Sequence, residues 1–133
     1  MFGIRRSRVV LVAFILFLMW VILMADSGGA RWLFEFVRHI PAGDKVGHFV
    51  LYGILSFLVN YVCSCAEFRF GNLRLKKGSV LIMIPVIVEE FTQLFFKTRS
   101  FDVLDLVAGA LGIWFFGLVA ARFLRWRQGR QVD

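Results

Sequence analysis

The sequence is poor in the residues that build most catalytic and metal centres. It has two cysteines and two histidines in 133 residues. Cys63 and Cys65 are separated by a single residue, so a bridge between them would close a strained ring, and no third or fourth soft ligand is nearby. That excludes a disulfide scaffold and leaves both thiols without metal or redox work. One histidine, His39, falls in a loop, so two-histidine phosphatase and zinc-protease arrangements lack ligands. There is no Gly-x-Ser-Gly nucleophile, no internal repeat and no low-complexity stretch. A disordered tail and a separate catalytic module are excluded with them, and residues 1–133 read as one domain.

What the chain has is apolar surface. It is 59% hydrophobic and 17% aromatic, with a mean hydropathy of +0.76, where soluble domains are about 45–50% apolar. Four spans of about 20 residues would absorb about 80 residues, which is nearly the whole apolar complement. The runs lie at 9–25, 46–66, 79–96 and 103–123. The fold class expected is an all-α membrane protein of four transmembrane helices. The first run has a basic start, but Leu23-Met24-Ala25 is a poor cleavage site and Arg5-Arg6 lacks the rest of a twin-arginine signal. It reads as a retained span.

The net charge of +7 is placed by topology rather than by nucleic acid. Arg5, Arg6 and Arg8, the loop residues Arg69, Arg74, Lys76 and Lys77, and Arg122, Arg125, Arg127 and Arg130 hold 11 of the 16 basic residues. All three segments fall on one side. By the positive-inside rule both termini are cytoplasmic, and the basic loops meet anionic lipid. Membrane lipids are the expected partners, and no cofactor or nucleic acid is expected.

Between the first two spans, Asp26-Ser27-Gly28-Gly29 is a chain-turning composition. Trp32, Leu33, Phe36, Val37 and Ile40 then recur at helical spacing opposite Arg31, Glu35 and Arg38, up to Pro41. This spacing predicts a short interfacial helix. In the basic loop, Phe68-Arg69-Phe70, Gly71-Asn72 and Leu73-Arg74-Leu75 alternate as a hairpin would. A lone two-stranded hairpin is marginal in water, though the membrane interface could shelter it; an irregular basic loop is the default expectation. Pro85 should kink the third span, and Ala108 and Gly112 form a small-xxx-small packing pair in the fourth.

Ionisable residues inside spans are costly and mark an interior or functional site. The second span opens with Asp44, Lys45 and His48 and continues to Tyr52. The third carries Glu89, Glu90 and Gln93, and Arg99, Asp102 and Asp105 follow. At about 1.5 Å per residue, His48, Gln93 and Asp105 share one depth, and Tyr52, Glu90 and Gly109 a deeper one. The expected arrangement is an Arg99–Asp105–His48 network roofing a pocket of Tyr52, Glu90 and Gln93. Metal binding is not assigned, because one imidazole with scattered carboxylates is a weak zinc signature.

The order Asp44-Lys45-x-x-His48-Phe49-x-x-Tyr52, then Glu90-x-x-Gln93, then Arg99 and Asp105 before a glycine-rich helix, resembles the VanZ-like family of membrane proteins. The resemblance runs from Asp44 to about Gly117. It departs at Gly109, where the family pattern commonly carries an asparagine. It implies a multi-pass protein of the bacterial cytoplasmic membrane that handles an envelope amphiphile, a lipid or a lipoglycopeptide. The family takes its name from a member associated with teicoplanin resistance, and most relatives have no assigned activity.

Three classes of function follow. In a binding or lipid-handling protein, Asp44, Lys45, Tyr52, Gln93 and Arg99 contact an amphiphile, with Lys45 and Arg99 facing an anionic head group. In an enzyme, His48 is the general base, with Glu90 or Asp105 orienting it or supplying a proton. In a small exporter, Glu89 or Glu90 cycles its proton. Binding stands first, and the oligomeric state is left open. The charge bias also makes a direct prediction. Labelling of engineered cysteines from outside the cell should reach the 97–101 turn and miss a site beyond Arg127; the reverse pattern would put the polar cluster on the cytoplasmic face.

Overall fold

The computed structural model describes residues 4–29, 31–97 and 99–130, excluding the side chains of residues 4, 33, 34 and 38. Helix α1 is Ile4–Ser27, α2 is Arg31–His39, and α3 is Gly43–Val62. Strands β1 (Glu67–Phe70) and β2 (Leu73–Lys76) lead into α4 (Lys77–Thr92), a 3₁₀ turn (Gln93–Phe95) and α5 (Val103–Gly129). Arg5–Ser27, Gly43–Val62, Lys77–Phe95 and Val103–Gly129 are each long and apolar enough to cross a membrane. The chain is a mostly helical, multi-pass membrane protein, with the short helix α2 between its first two spans. On α2 the side chains of Leu33 and Arg38 lie outside the described residues, while Trp32 and Phe36 are exposed.

The spans differ in how apolar they are, and the difference tracks their work. Mean hydropathy is 2.8 for α1 but 1.3 for the α3 span and 1.5 for the α4 span. The polar residues that lower these values are the ones that meet in the interior. α1 leaves most of its side chains exposed, the expected state of a lipid-facing helix. It docks mainly on α3, and Leu18 is its buried contact with the core. Helix α4 continues through Pro85.

α3 and α5 form the central pair. Their backbones approach so closely that a Cβ on Gly112 would stand 2.1 Å from the carbonyl oxygen of Phe49. Tyr52, Leu55, Val59, Ile82, Val86 and Ile113 fill the buried seam where α4 joins the pair. A polar knot closes the same seam. Ser56 Oγ donates to the Ile113 carbonyl at 2.7 Å, and Asn60 Nδ2 donates to Ser79 Oγ at 2.9 Å. Ser56 and Asn60 are wholly buried, and apolar surroundings strengthen such contacts between spans. This knot was not foreseen from the sequence.

The basic loop is not irregular. Its strands pair antiparallel in the register Glu67↔Lys76, Phe68↔Leu75, Arg69↔Arg74 and Phe70↔Leu73. Gly71 takes a φ of 58° at the turn, a conformation that costs glycine nothing. Stability in water was the wrong criterion for this hairpin. It hangs between two spans, Lys77 N–H donates to the Ala66 carbonyl at its base, and Lys76 pairs with Glu67.

The close approach at Gly112 makes the α3–α5 contact testable. A methyl group there meets main chain, which no rotamer change can move aside. Gly112→Ala is expected to destabilise the protein by about 1–3 kcal/mol, whereas Gly47→Ala, with nothing within 4 Å of the added carbon, should leave thermal unfolding in detergent unchanged. Equal midpoints for the two variants would contradict the packing.

Candidate functional site

The opening turns of α3 carry Lys45, His48 and Tyr52 at i, i+3 and i+7, one face of a helix. The last turns of α4 bring Glu89 and Glu90, and the 3₁₀ turn brings Gln93. Arg99 and Asp102 come from the segment before α5, and Asp105 from its first turn. These groups converge at the end of the bundle opposite the hairpin. Beside them a cavity of about 720 Å³ lies between α1, α2, α3 and α4. Leu18, Val21 and Met24 form its apolar wall, and Asp44, His48, Tyr52, Glu89, Gln93, Arg99 and Asp105 its polar side.

The pairing inside this cluster differs from the expected network. Arg99 turns to Asp26 of α1 and Glu89 of α4, at 3.4 and 3.3 Å, not to Asp105. Asp105 is held by Lys45 at 3.0 Å, and the same ammonium reaches Asp102 at 2.7 Å. Depth along a helix selects a level, but the long side chains of Lys45 and Arg99 choose among several carboxylates on that level. Each cation settles between two of them. Lys45 thereby holds the Asp102 carboxyl below the usual carboxylate range, with a further contribution from the Leu104 N–H that it caps.

His48 is the second correction. Its Nδ1 lies 2.8 Å from the main-chain carbonyl of Asp44. A carbonyl only accepts, so Nδ1 carries the hydrogen and the neutral ring presents Nε2 as an acceptor. Nε2 faces Glu90 Oε2 at 3.7 Å. Asp44 therefore fixes the tautomer through its backbone, and Asp105 has no part in it.

Glu90 and Gln93 are almost fully buried, at 1% and 2% exposure. Gln93 Nε2 donates to Glu90 at 3.1 Å and to Glu89 at 3.2 Å, and the Asp102 N–H donates to Glu90 Oε1 at 3.2 Å. Tyr52 was expected level with Glu90, yet its hydroxyl donates to Glu89 at 2.7 Å. The Tyr52 ring reaches it across Gly109, where a Cβ would lie 2.9 Å from the ring. Glu89 is thus a full member of the site, accepting from Tyr52, Gln93 and Arg99. Sequence reasoning also undervalued Asp26, read only as a turn former, and Asp102. The available signal was a carboxylate at the end of an otherwise apolar run.

Two chemical properties follow. First, four carboxylates (Asp26, Glu89, Asp102 and Asp105) share two cations and a fifth, Glu90, is held by Gln93 and the Asp102 N–H, so this end of the bundle is rich in acceptors. Second, one ligand atom from each of His48, Glu89 and Glu90 lies within 4.8 Å of the others, a spacing that could hold a metal ion. Any cation there would compete with the hydrogen bonds that Gln93, Tyr52 and Arg99 already make to the two glutamates. Basic side chains stand farther out, where Arg31 and Lys97 are exposed on the cavity lining. Comparison with protein-family models, curated proteins and solved structures gave no match, so the site is read from its own geometry.

Proposed function

We propose that this membrane protein is a VanZ-like protein of the bacterial cytoplasmic membrane, with both termini cytoplasmic, that binds an envelope amphiphile. The head group enters the cavity and the tail stays in lipid. The observation that carries this reading is the cavity itself: about 720 Å³, walled on one side by the apolar face of α1 and on the other by buried hydrogen-bonding groups. A space with one apolar and one polar wall suits an amphiphile better than a purely polar solute.

The pairing of charges refines the expected ligand. Lys45 and Arg99 are each engaged by two carboxylates, so an anionic head group would meet Arg31 and Lys97 at the mouth. The polar wall offers the Glu89 carboxylate, with the His48 ring beside it and Glu90 buried behind, which suits hydroxyl or amine donors. A head group carrying both an anionic group and hydrogen-bond donors fits this polarity. At Gly109 the ring of Tyr52 fills the space beside the backbone, and Glu89 supplies the polar group that an asparagine would otherwise provide there.

An enzymatic reading rests on one observation. The backbone of Asp44 holds His48 in the tautomer whose Nε2 can accept a proton, beside a cavity. His48 would then be the general base and Glu90 its acidic neighbour. Asp105, bound to Lys45, would act only by position.

Identification of lipids that co-purify with the protein in detergent, by mass spectrometry, tests the proposal. The wild type should carry a defined amphiphile, and Glu89→Gln and Glu90→Gln, which keep shape but remove charge, should lower its occupancy about tenfold or more, the scale of one charged hydrogen bond. Variants that accumulate normally and retain the same lipid at the same occupancy would contradict binding at this site. Variants that fail to accumulate would make the cluster a device that pins helices.

A further inference from the structure

The hairpin carries a second ligand site, independent of the cavity and at the other end of the bundle. Its register places Phe68, Phe70, Leu73 and Leu75 on one face and Glu67, Arg69, Arg74 and Lys76 on the other. The four apolar side chains are 37–65% exposed. In water this would be an unfavourable patch on two short strands. The hairpin is not free to sit in water, however, because α4 begins at the residue after β2 and only four residues separate α3 from β1. Two spans therefore tether it at the membrane surface.

The basic face has a defect of its own. Arg69 and Arg74 stand directly opposite each other, both exposed, and like charges at paired positions destabilise a two-stranded ladder. The acid of this face, Glu67, is already taken by Lys76. Two guanidiniums held side by side match one phosphate, which accepts from both and removes their repulsion. The surroundings share that sign, since Arg122, Arg125, Arg127 and Arg130 end α5 on the same side.

We infer that the hairpin is an anionic-phospholipid clamp: its Phe68–Phe70–Leu73–Leu75 face lies in the interfacial layer of the bilayer, and Arg69 and Arg74 together grip a lipid phosphate. An amphipathic element at this depth buries its apolar face at the boundary between head groups and acyl chains. Its backbone then lies level with the phosphates, within reach of both arginines.

The full-length protein, with Cys63→Ser, Cys65→Ser and Asn72→Cys and a polarity-sensitive dye at the new thiol, is reconstituted in nanodiscs of phosphatidylcholine, alone or mixed with phosphatidylglycerol. The dye should report an apolar environment, and lipids retained on release should be enriched in phosphatidylglycerol. Arg69→Gln with Arg74→Gln removes repulsion and so leaves folding intact, yet should lower that preference about 25-fold, on the scale of fivefold per basic residue. Arg69→Lys with Arg74→Lys should lose less. An unchanged preference in the glutamine variant overturns the clamp. A dye that stays in water in both discs, and shifts only when a soluble polyanion is added, overturns it in favour of an acidic macromolecule.

Discussion

A carboxylate inside a membrane protein must be paired, and in this chain two cations do the pairing for most of one bundle end. Arg99 lies between Asp26 of α1 and Glu89 of α4, and Lys45 of α3 lies between Asp102 and Asp105 at the start of α5. Every span is thus tied to another by charge at this level. Asp26, Glu89, Arg99 and Asp105 are mostly buried, so losing a partner would leave such a charge poorly compensated, while Lys45 and Asp102 keep access to water. The arrangement holds only as a set.

The cavity depends on that set. α3 and α5 need no help, because their glycines allow backbone contact along the seam. α1 is different. It is lipid-facing over most of its surface and rests mainly on α3, so the guanidinium of Arg99 is what joins its far end to α4. The apolar wall of the cavity belongs to α1 and the polar wall to α3 and α4. Arg99, paired with Asp26 and Glu89, therefore bridges the two walls. The donors that satisfy Glu89 and Glu90, from Tyr52, Gln93, Arg99 and the Asp102 main chain, hold the polar wall, with His48 Nε2 turned toward Glu90.

Much of this was legible in the sequence, for identifiable reasons. Hydropathy located the four spans because lipid demands uninterrupted apolar helices. Helical periodicity put Lys45, His48 and Tyr52 on one face, and depth brought His48, Gln93 and Asp105 to one level, with Glu90 and Tyr52 a turn deeper at the same end. Partner choice was not legible, because Lys45 and Arg99 are long enough to reach several acids and the sequence does not rank them. Asp26 was hidden by its resemblance to a cap. Ser56, Asn60 and Ser79 were hidden because small polar residues scarcely interrupt an apolar run. The hairpin was underweighted because its alternating strands are marginal by themselves, whereas the spans on either side anchor both of its ends.

The central claim, that Arg99 couples α1 to the rest of the site, is open to a double-mutant cycle. Asp26→Asn, Arg99→Gln and the double variant would be compared with the wild type by reversible unfolding in detergent. The account expects a double variant less destabilised than the sum of the single variants, with a coupling of about 1 kcal/mol or more, in the range for contacting charged residues. Strict additivity would contradict it, and would mean that Arg99 is not what couples α1 to the rest of the site.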